Sequence, residues 1–265
     1  MSDIPLGSLR TFATATSRAA SRPHPWGVPG TLLWGAAGIV AIFLYATANE
    51  TWRAWSGSPI ALPPTFALFV QPLLDVLVIA MVVVAVRQTG CRVSEYLGLV
   101  RPRVGDVLRG IGWGIVGWIA IALVAGIFMA VMMLLGKAPA APASLPSVAA
   151  LLGGVDKWAF LLSIWILMVI VAPVAEELLF RGFLYRGLVD TRLGSFGAIL
   201  LTSVVFGLIH KYGFGWERVV AIAFLGLLLG WLRHRTGATN VPIVAHATTN
   251  VIAASILTIG ILVLP

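Results

Sequence analysis

Apolar residues in this chain come in long blocks separated by short polar stretches, and polar residues do not alternate with them. Positions 30–48, 111–135, 158–175 and 237–265 contain no Asp, Glu, Lys or Arg, and 72–86 is interrupted only by Asp75. A helix needs about 20 apolar residues to cross roughly 30 Å of hydrocarbon, so blocks of this length read as membrane spans. The blocks 193–209 and 219–232 are shorter, bounded by basic residues, and read as spans of the same compact bundle. With no strand pattern and no internal repeat, the sequence predicts an all-α, polytopic transmembrane bundle of about seven to eight helices.

Composition agrees. Hydrophobic residues make up 59% of the 265 and charged residues only 11%, with a mean hydropathy of +0.98. A soluble domain carries about 25% charged residues and could not bury so much apolar surface. The net charge of +8 does not point to nucleic acid, because the basic residues form no run or aromatic-interleaved face. They lie between the spans. With the N-terminus inside, Arg10, Arg18, Arg22 and the basic residues at 87–109, 181–192 and 233–235 fall on the cytoplasmic side, leaving Arg53, Lys137, Lys157, Lys211 and Arg218 outside. That asymmetry follows the positive-inside rule and predicts an integral protein of a bacterial plasma membrane with a cytoplasmic N-terminus. Tryptophans near span ends, among them Trp26, Trp52, Trp55, Trp158 and Trp216, read as an interfacial belt. Cys91 is the sole cysteine, which excludes an intrachain disulfide and a thiolate metal cluster.

Four stretches are expected: a cytoplasmic tail at 1–27, N-terminal membrane helices at 28–135, a connector rich in Pro and Ala at 136–157, and a C-terminal core at 158–265. The connector contains Pro139, Pro142 and Pro146, which break any helix. Gly110, Gly114 and Gly117, like Gly226 and Gly230, place small residues where helices approach closely in a membrane. Asp75 reads as a packing or capping acid, and His24 and His234 as solvated.

The C-terminal core holds polar residues that an apolar composition does not explain. Glu176 and Glu177 stand at the end of an uncharged block, although an ionisable group at a helix centre costs about 2.5–3.5 kcal/mol on insertion scales. Glu177 and Arg181 are four apart and can pair on one face. Glu176 is rotated about 100° away and is free to meet another helix. His210 ends a block with Phe206 one turn before it, and His246 and Asn250 project together from the last span. Singly, these residues also fit an interfacial acid pair, interior histidines and an interhelical amide.

Taken in order, Glu176-Glu177-x-x-x-Arg181, Phe206-x-x-x-His210 and His246-x-x-x-Asn250 resemble the three motifs of the CPBP family, the CAAX-protease and bacteriocin-processing group of intramembrane peptidases. The flanks Phe180-Arg181-Gly182, Gly230-Trp231-Leu232 and Arg235-Thr236-Gly237 share the resemblance, which covers roughly 158–254. It implies cleavage of a peptide bond within or beside the bilayer, in a membrane-embedded or lipidated substrate such as a prenylated CAAX-like or bacteriocin-type protein. It also implies Glu176 as general base, His210 orienting the same water, and His246 with Asn250 donating to the oxyanion. Glu177 and Arg181 would support that arrangement, with Phe206 alongside.

Two versions of the chemistry stay open. One uses a carboxylate-activated water and no metal; the other places zinc on Glu176, His210 and His246, all acceptable ligands. Asn is a poor zinc ligand, which favours the first. The chain has no HExxH, GxSG or paired GxGD, so other intramembrane peptidase designs drop out. A transporter or a non-catalytic membrane scaffold of the same bundle type is the competing expectation, although repeated halves and lost motif residues are both absent.

Overall fold

A computed structural model of the chain describes residues 27–56, 64–137, 152, 155–211 and 215–263. The tail with Arg10, Arg18, Arg22, His24 and Trp26, and the connector prolines, lie outside the described residues. Among those described there are eight helices and no strand. They are α1 Gly27–Ser56, α2 Pro64–Gln88, the short α3 Val93–Tyr96 and α4 Val104–Leu134, then α5 Lys157–Val189, α6 Gly194–Ile209, α7 Trp216–Thr236 and α8 Asn240–Val263. Each apolar block of the sequence has its main part in one of the seven long helices, and residues 264–265 of the last block lie outside the described residues. Five spans, in α2, α4, α5, α7 and α8, are long and apolar enough to cross a membrane; Gly27–Val40 of α1 and all of α6 are shorter apolar helices. The molecule is a helical membrane bundle.

Lipid is as apolar as leucine, so such helices associate through close packing and interhelical hydrogen bonds. Gly114 shows how close. A Cβ added there would lie 2.5 Å from the Ala245 carbonyl oxygen of α8, and Thr249 Oγ1 of the same helix donates to the Gly114 carbonyl at 3.1 Å. Gly226 lets α7 approach Ser203 of α6 in the same way, with an added Cβ 2.9 Å from the serine Cβ. The small residues expected to allow close contact therefore do so.

The bundle is organised around α5. Each residue of its stretch Leu178–Leu184 is buried, and Leu178, Leu179, Phe180 and Phe183 share a core with Val78, Val82 and Val86 of α2, Leu97, and Phe206 of α6. The N-terminal half is thus part of the wall around this helix. Gly237 ends α7 in the left-handed conformation at φ 67°, a backbone state that glycine adopts without steric cost. The chain then turns at once into α8. Thr239 N donates to the Gly98 carbonyl at 2.8 Å, and Asn240 Oδ1 accepts from Val100 N at 3.0 Å, so the first turn of α8 is tied to the loop after α3.

Two charges expected in cytoplasmic loops are internal. Arg181 has no exposed surface and Arg233 is 7% exposed. Arg233 lies above the Tyr185 ring, its guanidinium carbon 5.6 Å from the centroid, and its Nε donates to the Arg181 carbonyl at 3.1 Å. A count of basic residues along the sequence cannot distinguish a loop arginine from one drawn inward by an acceptor.

Candidate active site

A change of helical pitch in α5 precedes the chemistry. The helix runs past the end of its uncharged block, so Glu176 and Glu177 stand well inside a continuous Lys157–Val189 element rather than at a helix end. Their short α-helical stretch Ala172–Glu177 is flanked by π-helical turns at Ile166–Val171 and Leu178–Leu184. Pro173 accounts for the first. It has no N–H for the carbonyl four residues earlier and its ring crowds that carbonyl, so the turn widens. Asn250 of α8 meets the widened turn: its Nδ2 donates to the Met168 carbonyl at 2.8 Å.

Glu177 is the centre of a cluster closed to solvent, in which its own Oε2 and Arg181 Nε are left without a hydrogen-bond partner among the described residues. Its side chain and that of Arg181 are both fully buried and paired at 2.8 Å, as their spacing predicts. The same Oε1 also accepts from His246 Nδ1 at 3.0 Å, a contact across 69 positions that no local pattern reveals. Arg181 spends another donor on the Gly226 carbonyl at 3.0 Å and stacks over Phe206 with its guanidinium carbon 4.5 Å from the ring centroid. Phe206 in turn meets the edges of Phe180, His210 and His246 at centroid distances of 5.3, 4.9 and 5.8 Å. It acts as the spacer that keeps the two imidazoles apart.

Each imidazole has one nitrogen assigned. His210 Nδ1 lies 2.7 Å from the Phe206 carbonyl, an oxygen that can only accept, so Nδ1 carries hydrogen. Glu177 imposes the same on His246 Nδ1. Both rings therefore offer Nε2 to the site. Those two atoms face Glu176: His210 Nε2 is 4.0 Å from Oε1 and His246 Nε2 is 3.9 Å from Oε2. Glu176 Oε2 is buried with no hydrogen-bond partner among the described residues, although its side chain retains 17% exposure. A carboxylate left in this state is costly unless something transient occupies the space before it.

The structure thus brings Glu176, Glu177, Arg181, Phe206, His210 and His246 together from α5, α6 and α8. Asn250, expected at the oxyanion beside His246, has one amide N–H committed to Met168 and one left. Zinc can be tested against the spacing. Ligands at about 2.05 Å in a tetrahedron stand roughly 3.3 Å apart, against 3.9 and 4.0 Å here, and no group of three or more His, Cys, Asp or Glu among the described residues is spaced to hold a metal ion. A water at about 2.8 Å from each polar atom fits these separations.

Asp75, read from the sequence as a packing or capping acid, is 3% exposed and lies in α2, with Oδ1 accepting from Gln71 Nε2 at 3.2 Å. As the one acid inside an otherwise uncharged block it carried the signal of an intramembrane ionisable group.

Comparison with known proteins bears out the resemblance carried by the three motifs. Residues 157–252 match the family model described as type II CAAX prenyl endopeptidase Rce1-like. A relative among curated proteins is the UPF0177 protein YxdF of Lactococcus lactis subsp. lactis (strain IL1403), 27% identical over 86 residues, which are 32% of this chain and 45% of the relative. This chain therefore spans less than half of that relative's length. No solved structure matches.

Proposed function

We propose that this protein is an intramembrane endopeptidase that cleaves a membrane-associated substrate with a water held between Glu176, His210 and His246. The observation that carries the reading is the pair of Nε2 atoms, each fixed through its ring's Nδ1, facing one carboxylate from 3.9 and 4.0 Å. The Rce1-like match over 157–252 supports a prenylated, CAAX-type substrate class presented from the bilayer, and the motif resemblance adds a bacteriocin-type substrate as the alternative. The cytoplasmic orientation expected from the basic loops belongs to the same proposal.

Glu176 takes a proton from the water as the oxygen attacks the peptide carbonyl carbon, and His210 Nε2 accepts the second water hydrogen to fix the direction of attack. The carbonyl π bond breaks and its electrons move to oxygen, giving a tetrahedral oxyanion. His246, carrying hydrogen on both ring nitrogens in this step, donates from Nε2 to that oxygen, and Glu177, accepting from its Nδ1, stabilises the imidazolium. The free Asn250 N–H is a second donor. On collapse of the intermediate the C–N bond breaks, and Glu176 returns its proton to the leaving amine.

The chemistry a zinc ion would supply is polarisation of the same water, but the donors are spaced for a water, so no step is assigned to metal. The reading is tested by purified protein acting on a prenylated or membrane-embedded reporter peptide. Wild type is expected to cleave and to keep cleaving after chelation, while Glu176→Gln and His210→Ala lose about a hundredfold or more. Equal turnover by all three proteins would remove the peptidase reading. Loss on chelation with recovery on zinc would replace the water-only mechanism.

A further inference from the structure

Asp75 is a buried acid for which the mechanism above has no use. Its Oδ1 accepts from Gln71 Nε2 at 3.2 Å, one turn earlier on α2. Its Oδ2 is buried without a hydrogen-bond partner among the described residues. Residues with such an unsatisfied carboxyl in an apolar span are costly and call for a partner or a task. The helix face it occupies gives its direction. Val78 and Val82, three and seven positions on, lie in the core that includes Leu178, Leu179 and Phe180 of α5, so Asp75 lies on the stripe of α2 that faces α5. Along α5, α2 packs against the Ala172–Glu177 stretch that carries Glu176 as well as the π-helical turns on either side of it. Asp75 thus brings a buried carboxyl from the N-terminal half to the same helix–helix contact as Glu176.

Resting on the peptidase reading, we propose that Asp75 is a positioning residue of the site, acting on Glu176 across the α2–α5 interface and keeping that carboxylate turned toward the two imidazoles. The physical cause is like-charge repulsion at low dielectric, where two carboxyl groups influence each other far more strongly than in water. Gln71, the hydrogen-bonded neighbour of Asp75, gives its amide N–H to Oδ1, whereas His210 and His246 both face Glu176. The N-terminal half thereby takes part in the chemistry as well as in packing.

The test uses full-length protein in detergent, with Asp75→Asn, Asp75→Glu, Glu176→Gln and the Asp75→Asn/Glu176→Gln double variant. In thermal unfolding, each single neutralisation should leave the melting temperature unchanged or raise it, and the double variant should gain less than the sum, because either change removes the same repulsion. In reporter cleavage, Asp75→Asn should lower kcat about tenfold while KM stays within about twofold, and Asp75→Glu should restore most of the rate. Additive melting shifts, an unchanged kcat, or a loss of kcat that follows a fall in melting temperature would each overturn the assignment. Failure of the peptidase reading looks different: Glu176→Gln would then cleave as wild type, and the melting cycle alone would decide whether Asp75 acts on Glu176.

Discussion

Two carboxylates adjacent in sequence differ in how their oxygens are partnered. Around Glu177 the donors converge: Arg181 and His246 share one oxygen, the Gly226 carbonyl takes another arginine donor, and neither Glu177 nor Arg181 has any exposed side-chain surface. Around Glu176 nothing described reaches hydrogen-bond distance of Oε2, and two imidazole nitrogens stop at 3.9 and 4.0 Å. Oε2 of Glu177 has no partner among the described residues either; the difference is that Glu177 is paired through Oε1 and closed to solvent, which supports structure, while the gap before Glu176 leaves room for reaction. The 100° rotation between consecutive helical positions is what separates the two roles.

The sharpest way to break this contrast is to open the closed side. Arg181→Met leaves Glu177 uncompensated in the interior, and the folded state should lose about 3–5 kcal/mol, seen as failure to purify or a large drop in melting temperature. On the other side, Glu176→Gln should abolish cleavage by about a hundredfold or more without lowering the melting temperature, since no hydrogen bond among the described residues depends on its Oε2. A fall in stability with Glu176→Gln would mean that both acids are structural.

How far the sequence anticipated this contrast differs by element. The helices were legible because uncharged blocks of span length have few other uses, and the Glu177–Arg181 pair was legible because both residues sit on one helix at a fixed spacing. The shared acceptor that locks His246 was not, since it joins α5 to α8 across 69 positions and depends on how the helices pack. The π-helical turns were also hidden, since the direction in which a turn relaxes beside a proline such as Pro173 depends on its neighbours. Asp75 was visible as an isolated acid, but the packing that aims it at α5 came only with the fold.

Smaller effects refine the comparison. Gly114→Ala puts a methyl group 2.5 Å from the Ala245 carbonyl oxygen and should cost about 1–3 kcal/mol in thermal unfolding, because α4 and α8 must separate. Cleavage should fall with it, since His246 rides on α8. Asn250→Ala removes the hydrogen bond to Met168 and should cost about 1 kcal/mol in the same measurement. If turnover drops further than that stability loss explains, the remaining amide N–H serves the oxyanion; if the two fall together, Asn250 only joins helices.

The tie between α8 and the loop after α3 has a mechanical consequence. A transmembrane helix slides along its axis at 1.5 Å per residue, and a one-residue slip would carry the His246 ring out of alignment with Glu176. Because Thr239 and Asn240 are moored to Gly98 and Val100, the imidazole sits about 10 Å down a rod whose head cannot travel. Its height along α8 is set from that end, by a segment that takes no part in the chemistry.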